Sequence, residues 1–270
     1  MKDVSFGQYY PASSFTHKVD PRTKFLFLIV YIAAIFTTDS FYGLGACAFV
    51  FLLAACVSGV PFGSLLRSVK AVLFLLLFTA VLNLFFYTGN TQTETPIFEW
   101  KFIVIWPSAV RFSVFLCVRL FLLVVGSSIL TLTTTPVSLT DGVESLLSPL
   151  KLIKFPVHVI ARIMSIALSF IPVFTEETAR IMNAQKARGA DFESGGFLSR
   201  VKAIVPVLIP LLISAFRRAE ELGDAMEARC YSGSTVRTKY KKLKFGWRDV
   251  VAGIVGVALL AGVIALQVLL

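Results

Sequence analysis

Residues 155–174 read FPVHVIARIMSIALSFIPVF, and the placement of this stretch decides the architecture. It is apolar on nearly every helical face and long enough to cross a bilayer, which takes roughly 20 residues. A second apolar run, AIVPVLIPLLISAF (Ala203–Phe216), is shorter. If both crossed, residues 175–202 would lie outside, carrying Arg180, Lys186, Arg188, Arg200 and Lys202, against the rule that basic loops stay cytoplasmic. We therefore expect two long helices, about 156–188 and 198–229, both on the cytoplasmic side. Their shafts are oily and their ends polar. Such shafts must be buried against protein or lie at the membrane interface. Pro172, Pro206 and Pro210 are expected to bend them. A seven-span arrangement, with both runs crossing, is the alternative.

The rest of the chain supplies clearer spans. It is 56% apolar over 270 residues, with 25 phenylalanines and a mean hydropathy of +0.80, which marks a polytopic membrane protein. Runs at 25–38, 41–57, 71–87, 109–132 and 250–270 read as five spans. Gly253, Gly256 and Gly262 in the last are suited to close helix contact. The polar loop 88–107, with TGNTQTET, Trp100 and Trp106, suits an interface. The opening lacks the small-residue cleavage site of a removed leader.

The net charge of +10 is unevenly placed. Lys2, Lys18, Arg22 and Lys24 precede the first span, Arg67 and Lys70 the third, and segment 133–248 holds 17 basic residues. That puts the N-terminus inside and the C-terminus outside. It favours membrane orientation over nucleic-acid binding as the meaning of the charge. The fold class is thus all-α: about five transmembrane helices plus long cytoplasmic-side helices. The expected divisions are 1–132, 133–246 and 247–270. The middle one contains an amphipathic helix at about 139–153, capped by Thr140 or Asp141 and ended by Pro149, and a basic loop at 231–246. In VDPRTK, Asp20 reads as a helix cap, Pro21 as the first helical residue, and Arg22 and Lys24 as snorkelling cations.

Chemistry for catalysis is sparse. Cys47, Cys56, Cys117 and Cys230 form no C-x-x-C pair, and His17 and His158 are isolated, so no metal site is expected. Gly-Lys never occurs, which excludes a P-loop. Glu176, Glu177, Glu220, Glu221, Asp224 and Glu227 read as solvated helix faces. The first four spans hold no acidic residue at mid-depth, and Arg119 is the one charge well inside a span. That weakens an ion-coupled carrier.

One device occurs twice. NAQKARGAD (Asn183–Asp191) is echoed by DAMEARCYS (Asp224–Ser232). Ala184, Ala187 and Arg188, like Ala225, Ala228 and Arg229, fall at i, i+3 and i+4, on one helical face. Two alanines admit a close partner, and the arginine offers a rigid fork of donors. Gly189 ends the first helix and Gly233 shortly follows the second. A common helical string with ordinary C-terminal capping would explain a single copy. Two copies at the ends of oily helices suggest plugs for sockets on another protein.

These residues resemble the transmembrane coupling subunit (T component, EcfT) of energy-coupling factor transporters, the CbiQ/BioN-like permeases. The opening GQYYPASSFTHKVDPRTK is similar to that family's Gly-x-Tyr…His-x-Leu-Asp-Pro-Arg-x-Lys, and Ala187-Arg188-Gly189 and Ala228-Arg229-Cys230 to its paired Ala-Arg-Gly motifs. Cys230 stands where Gly or Ser is usual. The resemblance covers nearly the whole chain. It implies a non-catalytic subunit of a prokaryotic cell membrane that binds no cofactor itself. Its two motifs would dock two ABC-type ATPase subunits, EcfA and EcfA', which carry ATP and Mg. The helix shafts would contact one substrate-binding S component for a vitamin or trace metal, here through Ile160, Met164, Ala167, Ile171, Val207 and Leu211. Membrane lipid is the remaining partner; nucleic acid is not one. A stand-alone secondary transporter is the alternative, and a lipid-modifying membrane enzyme a third reading.

Overall fold

The computed structural model describes residues 9–86, 98–100, 103–149, 156–190, 192, 196–231 and 245–269. The far N-terminus, much of the 88–107 loop, residues 150–155 and most of the basic loop, with Gly233, lie outside the described residues. The fold is helical: α1 (Pro21–Thr37), α2 (Phe41–Ser58), α3 (Phe62–Phe86), α4 (Pro107–Thr133), α5 (Pro136–Leu146), α6 (Val157–Ala187), α7 (Phe197–Ala228) and α8 (Trp247–Leu269). A short antiparallel pair, β1 (Phe98–Trp100) and β2 (Ile103–Ile105), stands within the expected polar loop, with Glu99 opposite Val104. Its aromatic and β-branched residues suit a strand better than a coil. Two compact units divide the chain, one holding α6 and α7, the other the remaining helices.

In the larger unit, α3 packs most extensively on α4 and α8 on α1, while α2 meets α4 and α8. The core runs through Tyr31, Ala34 and Ile35 of α1, Leu44, Cys47 and Phe51 of α2, Leu65 of α3, Leu122 and Val125 of α4 and Val263 of α8. Helix α3 bends by 56° between Phe62–Lys70 and Val72–Phe86. Counting that bent pair once, five helices among the described residues are long and apolar enough to cross a membrane: α2, α3, α4, α8 and, in contrast to the expectation for 155–174, α6. Helix α1 has 17 residues and falls short by length. One face of it is buried, with Ala34 and Ile35 fully so, while Leu26, Ile29 and Phe36 are exposed.

Glycines in α4 and α8 permit close approach to α1. A Cβ at Gly126 would stand 2.3 Å from the Tyr31 ring, and one at Gly256 3.2 Å from Phe27. Gly253 and Gly262 have open space around them, so of the three expected contact glycines in α8 only Gly256 meets a neighbour. Helix α5 also differs from expectation. It starts at Pro136, capped by Thr135, whose Oγ1 accepts the Ser138 N–H at 3.3 Å, and its last residue is Leu146. The Thr-Pro pair is a stronger start signal than Thr140 or Asp141 further on. It packs on α1, where Gly142 lies against Pro21.

Candidate docking surfaces

The two arginine motifs end in the same hydrogen-bond pattern. At the α6 end, Gly189 N–H donates to Lys186 O and Ala190 N–H to Gln185 O, both at 3.0 Å. At the α7 end, Cys230 N–H donates to Glu227 O at 2.8 Å and Tyr231 N–H to Met226 O at 2.9 Å. Both are Schellman closures, in which the residue after the cap turns left-handed. That residue is Gly189 (φ 87°) in one and Cys230 (φ 55°) in the other. Cys230, not Gly233, therefore closes α7. A non-glycine residue there costs about 1–2 kcal/mol, yet the closure is unchanged.

The closure places each arginine as the cap residue, just past the last helical alanine. Ala184, Ala187 and Arg188 are all exposed, as are Ala225, Ala228 and Arg229. Each tip is thus a slim alanine-sided helix end carrying a guanidinium, with carbonyl-rich negative dipole behind it.

Helices α6 and α7 run antiparallel. Gln185 Nε2 donates to Pro206 O at 3.4 Å, a carbonyl in a stretch where Pro210 has no N–H to offer it. Glu177 faces Arg180 on its own helix at 3.6 Å and Arg218 of α7 at 4.0 Å, so this carboxylate joins two helices rather than serving only as a solvated face. Beyond it, a cleft of about 330 Å³ is lined by Arg162 and Ile166 of α6 and by Leu222, Met226, Arg229 and Tyr231. The Arg188 tip therefore lies beside the start of α7, and Arg229 beside the first half of α6. The tips stand at opposite ends of the hairpin, about 35 Å apart along α7 at 1.5 Å per residue.

Each helix is apolar in its first half. On α6, Ile160, Met164, Ala167 and Ile171 are exposed. On α7 the two residues expected to make contact are the less accessible ones. Val207 is buried by the chain's own atoms and Leu211 is half-buried, whereas Ile204, Val205, Leu208, Ile209, Leu212 and Ile213 are exposed. The i, i+1, i+4, i+5 repeat of these six defines one face. Helical phase made this face visible in the sequence; which of two apolar faces turns inward was not.

The polar opening resolves into an anchor within the larger unit. Asp20 accepts the Arg22 N–H at 3.0 Å and so caps α1. Asp249, three residues into α8, accepts the Gly246 N–H at 2.7 Å and the Asp20 N–H at 2.8 Å. One carboxylate thereby ties two helix starts. Lys24 does not snorkel: it is buried, donating to Thr133 O at 2.9 Å and Thr134 Oγ1 at 3.2 Å. Tyr10 N–H takes Leu132 O at 2.9 Å. These bonds satisfy carbonyls that the end of α4, without a glycine cap, leaves open. His17 is held by Ser14 Oγ at 2.7 Å and Tyr10 O at 2.9 Å. At the other end of α1, Arg119 of α4 donates to Thr38 O, lies 3.6 Å from Asp39 and stands 4.6 Å over the Phe115 ring. The intramembrane arginine is thus a helix-to-helix tie. Gly246 and Asp249 have the spacing of a half capping box and were readable; the partners of Lys24 and Arg119 were not.

A predominantly helical polytopic membrane protein with a long amphipathic hairpin, whose paired arginines have no metal-ligating cluster beside them among the described residues, is the class defined by this geometry. The CbiQ family, described as cobalt transport protein, matches residues 12–240, a span holding both the anchor's opening and the two arginine tips. Relatives described as energy-coupling factor transporter transmembrane protein EcfT are similar across nearly their whole length. The one from Clostridium kluyveri is 46% identical over 96% of this chain and 95% of its own. That from Ruminiclostridium cellulolyticum is 43% identical over 99% and 98%, and that from Bacillus subtilis 41% identical over 92% of each. The chain belongs to this family of energy-coupling factor transmembrane components.

Proposed function

We propose that the chain is the non-catalytic coupling subunit of an ATP-driven importer. Two cytoplasmic ABC-type ATPase subunits, EcfA and EcfA', bind the Arg188 and Arg229 tips and carry the ATP and Mg. A membrane-embedded substrate-binding component rests on the exposed apolar faces of α6 and α7. ATP-driven movement of the ATPases displaces the tips, and the hairpin passes this displacement to the substrate-binding component, so that a vitamin or trace metal is taken up. The N-terminus and the 133–246 module face the cytoplasm, and α8 ends outside.

The observation that carries this reading is the pair of identically closed helix ends, each presenting an exposed arginine, at opposite ends of one hairpin. Two separated grips suit a pair of separate subunits, and a guanidinium reads exposed carbonyls and carboxylates bidentately. Affinity purification of the full chain from its own cells in mild detergent tests it. Two ATPase-sized subunits and a small membrane protein are expected to accompany the chain. Solute transport by the chain alone in liposomes, or purification without any nucleotide-hydrolysing partner, overturns the proposal.

A further inference from the structure

The larger unit contains a half-open cavity of about 240 Å³ between α1, α2, α4 and α8. Its walls include Phe27, Leu53, Val57, Leu130, Val251 and Val255. Leu53, Val57, Val251 and Val255 are exposed, which puts the opening of the cavity on a surface of the membrane bundle rather than inside its core. An apolar space that opens sideways in a bilayer takes hydrocarbon, because water has too few polar partners there to stay.

One end of the cavity is cationic. Phe15 and Thr16, which line it, belong to the segment leading through the 3-10 turn Thr16–Lys18. Lys18 on that turn is exposed. The Arg248 guanidinium lies 5.7 Å from the centre of the Phe15 ring, and its Nε is buried with no hydrogen-bond partner among the described residues. Asp20 and Asp249 at this end are buried and accept the backbone N–H groups of Arg22, Asp20 and Gly246; they offset part of the charge, and against Lys18, Lys24 and Arg248 they leave an excess of positive charge. Lys24, which also lines the cavity, is held by Thr133 and Thr134.

We propose that this cleft binds one anionic phospholipid, with an acyl chain between α2 and α8 and the headgroup phosphate against Lys18 and Arg248. The charge complementarity selects an anionic lipid over a zwitterionic one, and the apolar walls select a chain over a soluble anion. The site is separate from the helix tips and does not depend on the coupling role.

The test uses the full chain in phosphatidylcholine liposomes with a trace of phosphatidylglycerol carrying a photoreactive group in its acyl chain. Crosslinks are expected to concentrate in residues 50–57 and 251–255. Unlabelled phosphatidylglycerol is expected to compete about five- to thirtyfold better than phosphatidylcholine, as one to two juxtamembrane cations provide. Arg248→Gln reduces that preference, and Ala54→Phe, which fills the cavity, removes the crosslinks at 50–57. Uniform labelling along all exposed apolar residues overturns the proposal, as does equal competition by the two lipids. Both readouts are made on the unaltered chain, so neither depends on a variant folding.

Discussion

The charged side chains of the bundle and those of the hairpin tips are treated in opposite ways. In the bundle, Lys24 and Asp249 are buried and Arg119 nearly so, and each meets its partners inside the chain. At the tips, the side chains of Arg188 and Arg229 are exposed and make no hydrogen bond or ion pair among the described residues. A charge whose partner is internal holds helices together, and removing it leaves a buried group unpaired. A charge held out on a capped helix end, without an acceptor among the described residues, is open to another molecule, which is the role we propose for the tips. Arginines 119 and 188 are chemically identical; what separates their roles is where their acceptors are.

The comparison is broken most severely by reversing the tips. Arg188→Glu with Arg229→Glu is expected to lower retention of the ATPase subunits by about a hundredfold or more, two charge-assisted contacts at roughly 1.5–3 kcal/mol each, while the melting temperature in detergent is unchanged. Wild-type retention in pull-downs of the double variant would show that the tips are not grips.

The converse holds in the bundle. Asp249→Ala strips two N–H groups of their acceptor and is expected to destabilise the chain by about 3 kcal/mol, seen as an earlier thermal transition. Gly126→Ala is next: its methyl meets the Tyr31 ring at 2.3 Å, for a loss of about 1–3 kcal/mol, whereas Gly262→Ala, with open space around it, leaves the transition where it was.

The smallest effect sharpens the comparison between the tips themselves. Cys230→Gly relieves a left-handed cysteine and is expected to gain about 1 kcal/mol of local helix stability, read as slower amide exchange at Cys230 and Tyr231. Gly189→Ala loses about as much at the other tip, read the same way at Gly189 and Ala190. Neither is expected to change ATPase retention, because both leave the arginine in place. Equal exchange in the variants and the parent would remove strain from the account.

Local chemistry wrote much of this protein into its sequence. Apolar run lengths located α2, α3, α4 and α8, but they also named α1, which is too short, and set aside α6, which is long and apolar enough to cross. Asp20-Pro21 announced the start of α1. The alanine-arginine spacing marked both tips, because helix period, proline geometry and capping act over four residues or fewer. The geometry of the candidate tips was legible to the extent that its parts are local, which covers the exposed ends at Arg188 and Arg229 and the closing glycine at 189. Tertiary packing decided the rest. It turned Val207 inward and Ile204, Leu208 and Ile213 outward, drew Lys24 onto the end of α4 instead of letting it snorkel, and gave Arg119 the α1–α2 turn as its acceptor. Cys230 closes a helix where glycine was expected, held left-handed by the local closure, Cys230 N–H to Glu227 O and Tyr231 N–H to Met226 O. The other three depend on which atoms lie across from a residue distant in the chain. No short window of sequence contains that information.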